Sequence, residues 1–322
     1  MILSVSRRTD IPAFYAEWFM RRIKQGYVCV VNPFNSKQIS KVNIKPDVVD
    51  CIVFWSRNPK PLLNKLSELD DLNYKYYFQF TITPYHDDLE KNNPNKKEVI
   101  DTLINLSKII GKRKVILRYD PILITDKYTL EFHKKAFTAL CEKLHGHTEK
   151  IIISYLDNYR KVSRNMKEIN MQHLSSETIK SLSQSLVEIA NNYQLPMETC
   201  AEEADLEELG IAHAKCIDGN LIEKIIGYEI MNKNKLDAHR KACGCMKCID
   251  IGQYDSCIHE CLYCYANVNK EKARENFNLH DPDSPFLIGD YDKALIKERK
   301  DVKSLRIRKD EAPVKQIDIF SQ

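Results

Sequence analysis

Tyr76-Tyr-Phe-Gln-Phe-Thr-Ile-Thr83 is a run of aromatic and β-branched residues with few polar interruptions. Such a run suits a parallel strand covered on both faces. Working outward, the same texture recurs at Asp50–Ser56 and Lys114–Tyr119, and again at Ile2–Ser6 and Ile151–Tyr155. It is weaker at Pro196–Cys200, where Glu198 and Thr199 interrupt and Pro196 fits only the first position. Helical patterns separate these runs at Pro12–Gln25, Pro59–Leu69, Lys96–Ile110, Leu130–Leu144 and Ser176–Tyr193. Pro12 occupies a first-turn position behind Asp10, and Gly26 follows the end of that helix. Five β-then-α units and a sixth strand predict an α/β protein, a (β/α) barrel, complete or partial. An open doubly wound sheet is the competing arrangement. No Gly-x-Gly-x-x-Gly turn follows the first strand, which argues against a dinucleotide fold. Tyr27–Asn32 and Ile39–Ile44, on either side of Pro33-Phe-Asn-Ser36, read as an inserted hairpin.

The texture changes after about residue 230, where six cysteines fall between Cys243 and Cys264. A polar segment, Asn269–Asp283, then leads to a charged, helix-like stretch from Asp290 to Lys303, and Pro313–Gln322 reads as a tail. The expected organisation is a barrel domain at 1–230, a cysteine-rich iron–sulfur segment at 231–275, and a charged C-terminal extension at 276–322. With 43% hydrophobic and 29% charged residues among 322, the composition is that of a globular protein. A net charge of +4 is too small to argue for nucleic acid by itself. No apolar run approaches the ~20 residues that span a bilayer, and the start lacks the pattern of a signal peptide. The expected location is cytoplasmic, where eleven cysteines imply thiols and metal sites instead of disulfides.

Cys257-Ile-His-Glu-Cys261-Leu-Tyr-Cys264 carries the chemistry. Three thiolates on one short loop can hold three corners of a cubane [4Fe–4S] cluster and leave the fourth iron open, whereas electron-transfer clusters usually have four protein ligands. A structural zinc site is the competing reading, although zinc favours paired Cys-x2-Cys knuckles. His259 is a potential ligand there, its ring as readily turned to solvent. Cys243-Gly-Cys245-Met-Lys-Cys248 adds further thiolates, and Cys200 and Cys216 fall near strand ends. Strand ends of a barrel share one face, so Cys200, Cys216, Cys243 and Cys245 are expected to meet in a second, fully ligated cluster. The competing reading makes Cys200 and Cys216 small buried hydrophobes. Cys29, Cys51 and Cys141 lie in apolar runs and are assigned to the core.

The cysteine spacing, with the aromatic Tyr263 before the last thiol, resembles that of the radical S-adenosylmethionine (SAM) enzymes. Ser6-Arg-Arg-Thr-Asp-Ile-Pro12, Arg118-Tyr-Asp-Pro-Ile122 and Cys261-Leu-Tyr-Cys-Tyr-Ala-Asn267 resemble the bacterial group called domain of unknown function 1848, over most of the chain. That resemblance implies a C-terminal cluster similar to the one normally near the N-terminus of radical SAM domains, where the motif follows the first barrel strand. Here it follows some 250 residues of barrel-like sequence. Either the barrel is circularly permuted, or a C-terminal excursion returns the motif to its mouth. The implied function is a radical SAM-like enzyme. Cys257, Cys261 and Cys264 would bind a [4Fe–4S] cluster whose open iron takes SAM, and an external low-potential electron donor would drive release of a 5′-deoxyadenosyl radical. The substrate is either a small anionic metabolite or nucleic acid. The alternative is a non-catalytic iron–sulfur or zinc protein, a redox or metal sensor or binding module.

Polar residues at strand ends supply the rest of the expected site. Arg7, Arg8 and Arg118 offer planar forks for an anionic substrate or the SAM carboxylate. Asp10 and Asp120 would orient those forks, a ribose or a substrate amine. Trp55, Glu198 and Tyr263 are expected beside the cofactor. Arg57, Gln79, Thr81, Thr83, Tyr155 and Asp157 recur at similar places, and an ion-pair network closing the barrel mouth is the competing reading. Glu202, Glu203, Asp205 and His213 read as a solvated face. Lys293–Lys309 is rich in lysine and arginine but also holds Glu298 and Asp301. Gln316-Ile-Asp-Ile-Phe320 resembles a sliding-clamp docking peptide, against the plainer expectation of an unattached or self-packed tail.

Overall fold

Each of the six runs read as strands is a strand in the computed structural model, which describes residues 1–157, 160–200, 202, 204–236 and 243–307. The described strands are β1 (Ile2–Val5), β2 (Tyr27–Asn32), β3 (Asn35–Asn43), β4 (Cys51–Ser56), β5 (Tyr76–Thr81) and β6 (Val115–Ile122), followed by β7 (Ile151–Tyr155), β8 (Met197–Thr199), β9 (Ala212–His213), β10 (Ile249–Asp250) and β11 (Ile296–Glu298). Helices Lys96–Ile110, Leu130–Leu144 and Ser176–Asn192 stand where the periodicity places them. Their first turns are capped by the side chains of Asn95, Thr129 and Ser175. The first expected helix breaks at Tyr15 into Ile11–Phe14 and Ala16–Gln25. There the buried tyrosine hydroxyl donates to the Ser256 carbonyl at 2.5 Å.

Eight strands form one parallel sheet in the order β10-β1-β4-β5-β6-β7-β8-β9. From β1 to β9 the spatial order follows the chain without the reversal that defines a doubly wound sheet. The edges are β10 and β9, and no pairing joins them among the described residues; the architecture is a mixed α/β fold on a large eight-stranded parallel sheet. β2 and β3 form the expected hairpin, with β11 alongside β3. β11 corrects the reading of Asp290–Lys303 as helical: that stretch is a 3₁₀ turn, Lys293–Leu295, followed by a strand. The open edge of β3 offers backbone partners that an isolated charged helix lacks. Conversely, the polar segment Asn269–Asp283 contains a helix, Lys270–Asn278, capped by Asn269. Gln316–Phe320, Arg308 and Lys309 lie outside the described residues. No helix among the described residues is long and apolar enough to cross a membrane.

Strand alternation divides the interior into two layers. Leu3, Phe54, Phe78, Leu117 and Ile153 pack with the apolar faces of the helices. On the other face, Ile2, Cys51, Val53, Tyr77, Ile116 and Ile152 pack with Ala214, Cys216, Ile217, Ile222, Cys245 and Met246. Further along β4, β5 and β6 this second face turns polar at Trp55, Gln79, Arg118 and Asp120, toward the C-terminal ends of the strands. Cys29, Cys51 and Cys141 are buried, as expected of core cysteines.

Candidate metal centre at the strand ends

The cysteine loop begins at β10, which lies parallel to β1 with Leu3 opposite Ile249 and Ser4 opposite Asp250. The Asp250 carboxylate locks this edge, accepting from Ser4 Oγ at 2.8 Å, Ser6 Oγ at 2.6 Å, the Arg7 amide at 2.8 Å and the Gly252 amide at 2.9 Å. Gly252 is required there, since a Cβ would lie 2.0 Å from Ser6 Oγ. The chain then passes over the ends of β1, β4 and β5. Leu262 donates to the Leu89 carbonyl at 3.0 Å, Asn92 to the His259 carbonyl at 3.2 Å, and Asn267 Nδ2 to the Cys257 carbonyl at 2.7 Å.

A buried charge cluster seats the loop. Arg57 donates to Glu90 at 2.8 Å, Thr83 at 3.0 Å and the Tyr263 hydroxyl at 2.8 Å. Tyr263 and Thr83 in turn donate to Glu90, as does Lys96 at 2.5 Å. Glu90 is only 1% exposed. Burial alone would raise its carboxyl, but the charges of Arg57 and Lys96, with the bonds from Lys96 and Thr83, overcome this and hold it at about 2. On the other side of the loop, His259 Nε2 meets Asp10 Oδ2 at 2.8 Å. Asp10 also takes the Arg57 amide and Ser56 Oγ, each at 2.7 Å, and caps Ala13 at 3.0 Å. Burial works against the Asp10 carboxylate, while His259, Arg57 and Ser56 together bring its pKa below the usual value. His259 is therefore 2% exposed, packed edge-on against Phe14, not turned to solvent.

Cys257, Cys261 and Cys264 are half-buried. Burial comes first in raising each thiol, Cys261 to about 12, and their mutual charges add to it at Cys257 and Cys261. Arg57 opposes the rise at Cys261 and Cys264, and the Ala266 amide donates to Cys264 Sγ at 3.3 Å.

A second sulfur group lies at the ends of β8 and β9. Cys216 Sγ is 3.3 Å from Cys200 Sγ, and hydrogen bonding links Cys245 to both Cys216 and Cys243. Arg118 Nη1 donates to Cys216 Sγ at 2.9 Å and the Ile217 amide to Cys245 Sγ at 3.4 Å. Among the described residues, no group of three or more His, Cys, Asp or Glu side chains is placed to hold a single metal ion.

Arg118 and Asp120 stand beside Cys200 and Cys216. Arg118 is paired to Asp120, its Nε at 3.0 Å, and stands 5.3 Å over the Trp55 ring. Asp120 also accepts from Ser154. The Trp55 indole N–H is buried without a partner among the described residues. Arg7 reaches Cys248 Sγ at 3.3 Å, and Arg8 lies 5.4 Å over Tyr254. Both line a cleft of about 350 Å³ with Lys247 and Arg299. Glu198 is held at 2.6 and 2.8 Å by Lys150, which precedes β7, so it lies toward the beginnings of the strands. Sequence reasoning missed Glu90 and Lys96, which sit in or just after an ordinary polar loop, and committed no role to Arg57.

Fold and site together define a parallel-sheet α/β protein whose C-terminal cysteine loop caps the strand ends. The chain belongs to the family described as "Domain of unknown function (DUF1848)", whose model matches residues 2–266. No curated protein matches the chain.

Proposed function

We propose that the chain is a radical SAM-type enzyme in which Cys257, Cys261 and Cys264 hold a [4Fe–4S] cluster. The observation that carries this reading is the course of the loop: it leaves an edge strand, β10, and crosses the C-terminal ends of β1, β4 and β5, the end where barrel enzymes carry their chemistry. With β10 taken as the first strand, the order β10-β1-β4-β5-β6-β7-β8-β9 supports a partial barrel with the motif after its first strand, in permuted chain order.

The donor set fits a cubane. Each thiolate would bind a different iron, so the three sulfurs need not converge on one point. The Ala266 amide already faces Cys264 Sγ, a contact that tunes cluster sulfur. Bound there, the cluster would supply one electron to SAM, yielding methionine and a 5′-deoxyadenosyl radical for hydrogen abstraction. An external low-potential donor is the implied partner.

The chain's own residues do the positioning. Tyr263, Arg57, Glu90 and Asp10 fix the loop over the sheet, and the loop shields the strand ends from water. The unpartnered Trp55 N–H is a donor left for a bound molecule. Arg118, engaged by Asp120 and Cys216, is a fixed positive wall. The cleft lined by Arg7, Arg8, Lys247 and Arg299 suits an anionic substrate, a small metabolite or nucleic acid, and salt-dependent DNA retention separates the two.

The test is anaerobic reconstitution with iron and sulfide, then reduction in the presence of SAM. The expected result is 5′-deoxyadenosine and a cluster spectrum altered by SAM, both lost in Cys264→Ala. A loaded cluster giving neither would overturn catalysis and leave a non-catalytic iron–sulfur module.

A further inference from the structure

We infer that the cleft lined by Arg7, Arg8, Lys247 and Arg299 takes single-stranded nucleic acid, gripped through its phosphates and stacked through its bases. This deepens the proposed reading and rests on it only in taking the cleft as the approach to the reacting centre. Arg7 and Arg8 follow β1, Lys247 precedes β10 and Arg299 follows β11, so three distant segments bring four cations to one cleft. Asp250 also lines it, but that carboxylate is 5% exposed and is taken up by four donors. Asp301 holds Arg299 at 2.7 and 3.2 Å. Four cations against these two carboxylates leave two positive charges for an incoming anion.

Cations alone would accept any anion, and the aromatic rings narrow the choice. Phe34, in the turn of the β2–β3 hairpin, lines the same cleft and is 93% exposed. Asn32 Oδ1 accepts from the Phe34 amide at 2.9 Å and so fixes the turn that presents the ring. A bare apolar ring beside cations is a surface that water leaves readily when a planar base covers it. Tyr254 has Arg8 and Lys161 each 5.4 Å from its ring centroid, which adds a further cation at the rim. Tyr265, the second residue after Tyr263, is 42% exposed, and its hydroxyl donates to the Arg7 carbonyl at 2.6 Å.

Rings interleaved with cations are what a single strand needs: guanidinium and ammonium groups follow the phosphates while the rings take the bases. A duplex hides the faces of its bases, so Phe34 would have nothing to stack on. A small phosphate ester would be satisfied by the cations and would leave the rings outside the cleft unused. Tyr265 adjoins Cys264 and is tied to the Arg7 segment, so a strand lying in the cleft ends beside the cysteine loop. The site therefore reads the chemical class of its ligand, a flexible polyanion with exposed bases, and no base sequence.

The experiment uses the full chain, with and without a reconstituted cluster, and fluorescent oligonucleotides of about 12 dT or rU residues followed by anisotropy. At least one of the two should bind at low salt, and the tighter of them tells DNA from RNA. Its affinity should fall with salt at a log–log slope of about −1.4, the value for two phosphate contacts. Phe34→Ala should weaken binding about tenfold, and Phe34→Trp should restore it. A ring so exposed can be replaced without disturbing the fold, so the loss reads stacking alone. Arg8→Gln should weaken binding and flatten the salt slope. No binding of either strand, affinity indifferent to Phe34, a duplex bound as tightly as the single strand, or a mononucleotide bound as tightly as the oligonucleotide would each overturn the inference. Binding is read without SAM, so these outcomes are independent of whether 5′-deoxyadenosine is formed.

Discussion

The two sulfur groups share one end of the sheet but are assembled in opposite ways. Cys257, Cys261 and Cys264 come from a single loop, and what holds them is not sulfur chemistry but the Arg57–Glu90–Tyr263 cluster and the Asp10–His259 contact beneath it. Cys200, Cys216, Cys243 and Cys245 come from three segments, and the sulfurs themselves make the contact. A loop seated by buried charge can keep its place while its thiols remain available for an exposed centre. A group gathered from three separate segments is held by the contacts of Arg118 and the Ile217 amide to its sulfurs and by the short strands beside it.

This contrast can be broken by unseating one region without the other. Glu90→Leu leaves Arg57 buried without its partner and should destabilise the fold by about 3–5 kcal/mol in urea unfolding. In the same protein iron uptake by the loop should fall while amide exchange at residues 212–217 stays unchanged. Faster exchange at 212–217 together with loss of iron would show that the regions are one unit.

Acid should reach the loop first. Glu90 sits at about 2 against an ordinary value of 4.5. Its carboxylate therefore stabilises the fold fully above pH 4.5, and this contribution is lost as pH falls toward 2. The shift corresponds to a contribution on the order of 3 kcal/mol. Urea midpoints measured from pH 5 to 2.5 should drop in the wild type and flatten in Glu90→Gln, with an unchanged slope refuting the assignment.

Asp10→Asn should have the smallest effect, about 1–3 kcal/mol, because the amide keeps one acceptor but places an N–H toward the donors at the other. Amide exchange should speed up across residues 255–267 and not at 243–246. Uniform acceleration would dissolve the comparison.

How much of this was legible follows from burial. Strands covered on both faces are continuous apolar runs, so Tyr76–Thr81 and Ile151–Tyr155 could be read directly. β9 and β10 are two residues each, Ala212–His213 and Ile249–Asp250, and carry no pattern of their own. Asp290–Lys303 misled because mixed charge suits an exposed strand at a hairpin edge as well as a helix. At the site, cysteine spacing within one loop is visible in sequence, as is the clustering of polar residues at strand ends. The partners that seat the loop are not: Glu90 stands in a polar stretch, and Asp10 meets His259 across 249 positions. Such pairs are set by the fold, and no local periodicity announces them.

The pairing of β10 with β1 also orders events during synthesis. β1 leaves the ribosome long before the strand that covers its free edge, which comes from near residue 250. Until then the nascent chain carries a row of unpaired backbone groups, the kind of edge that recruits neighbouring chains. The cysteine loop emerges just after that strand, so the shelf it rests on is finished before it arrives.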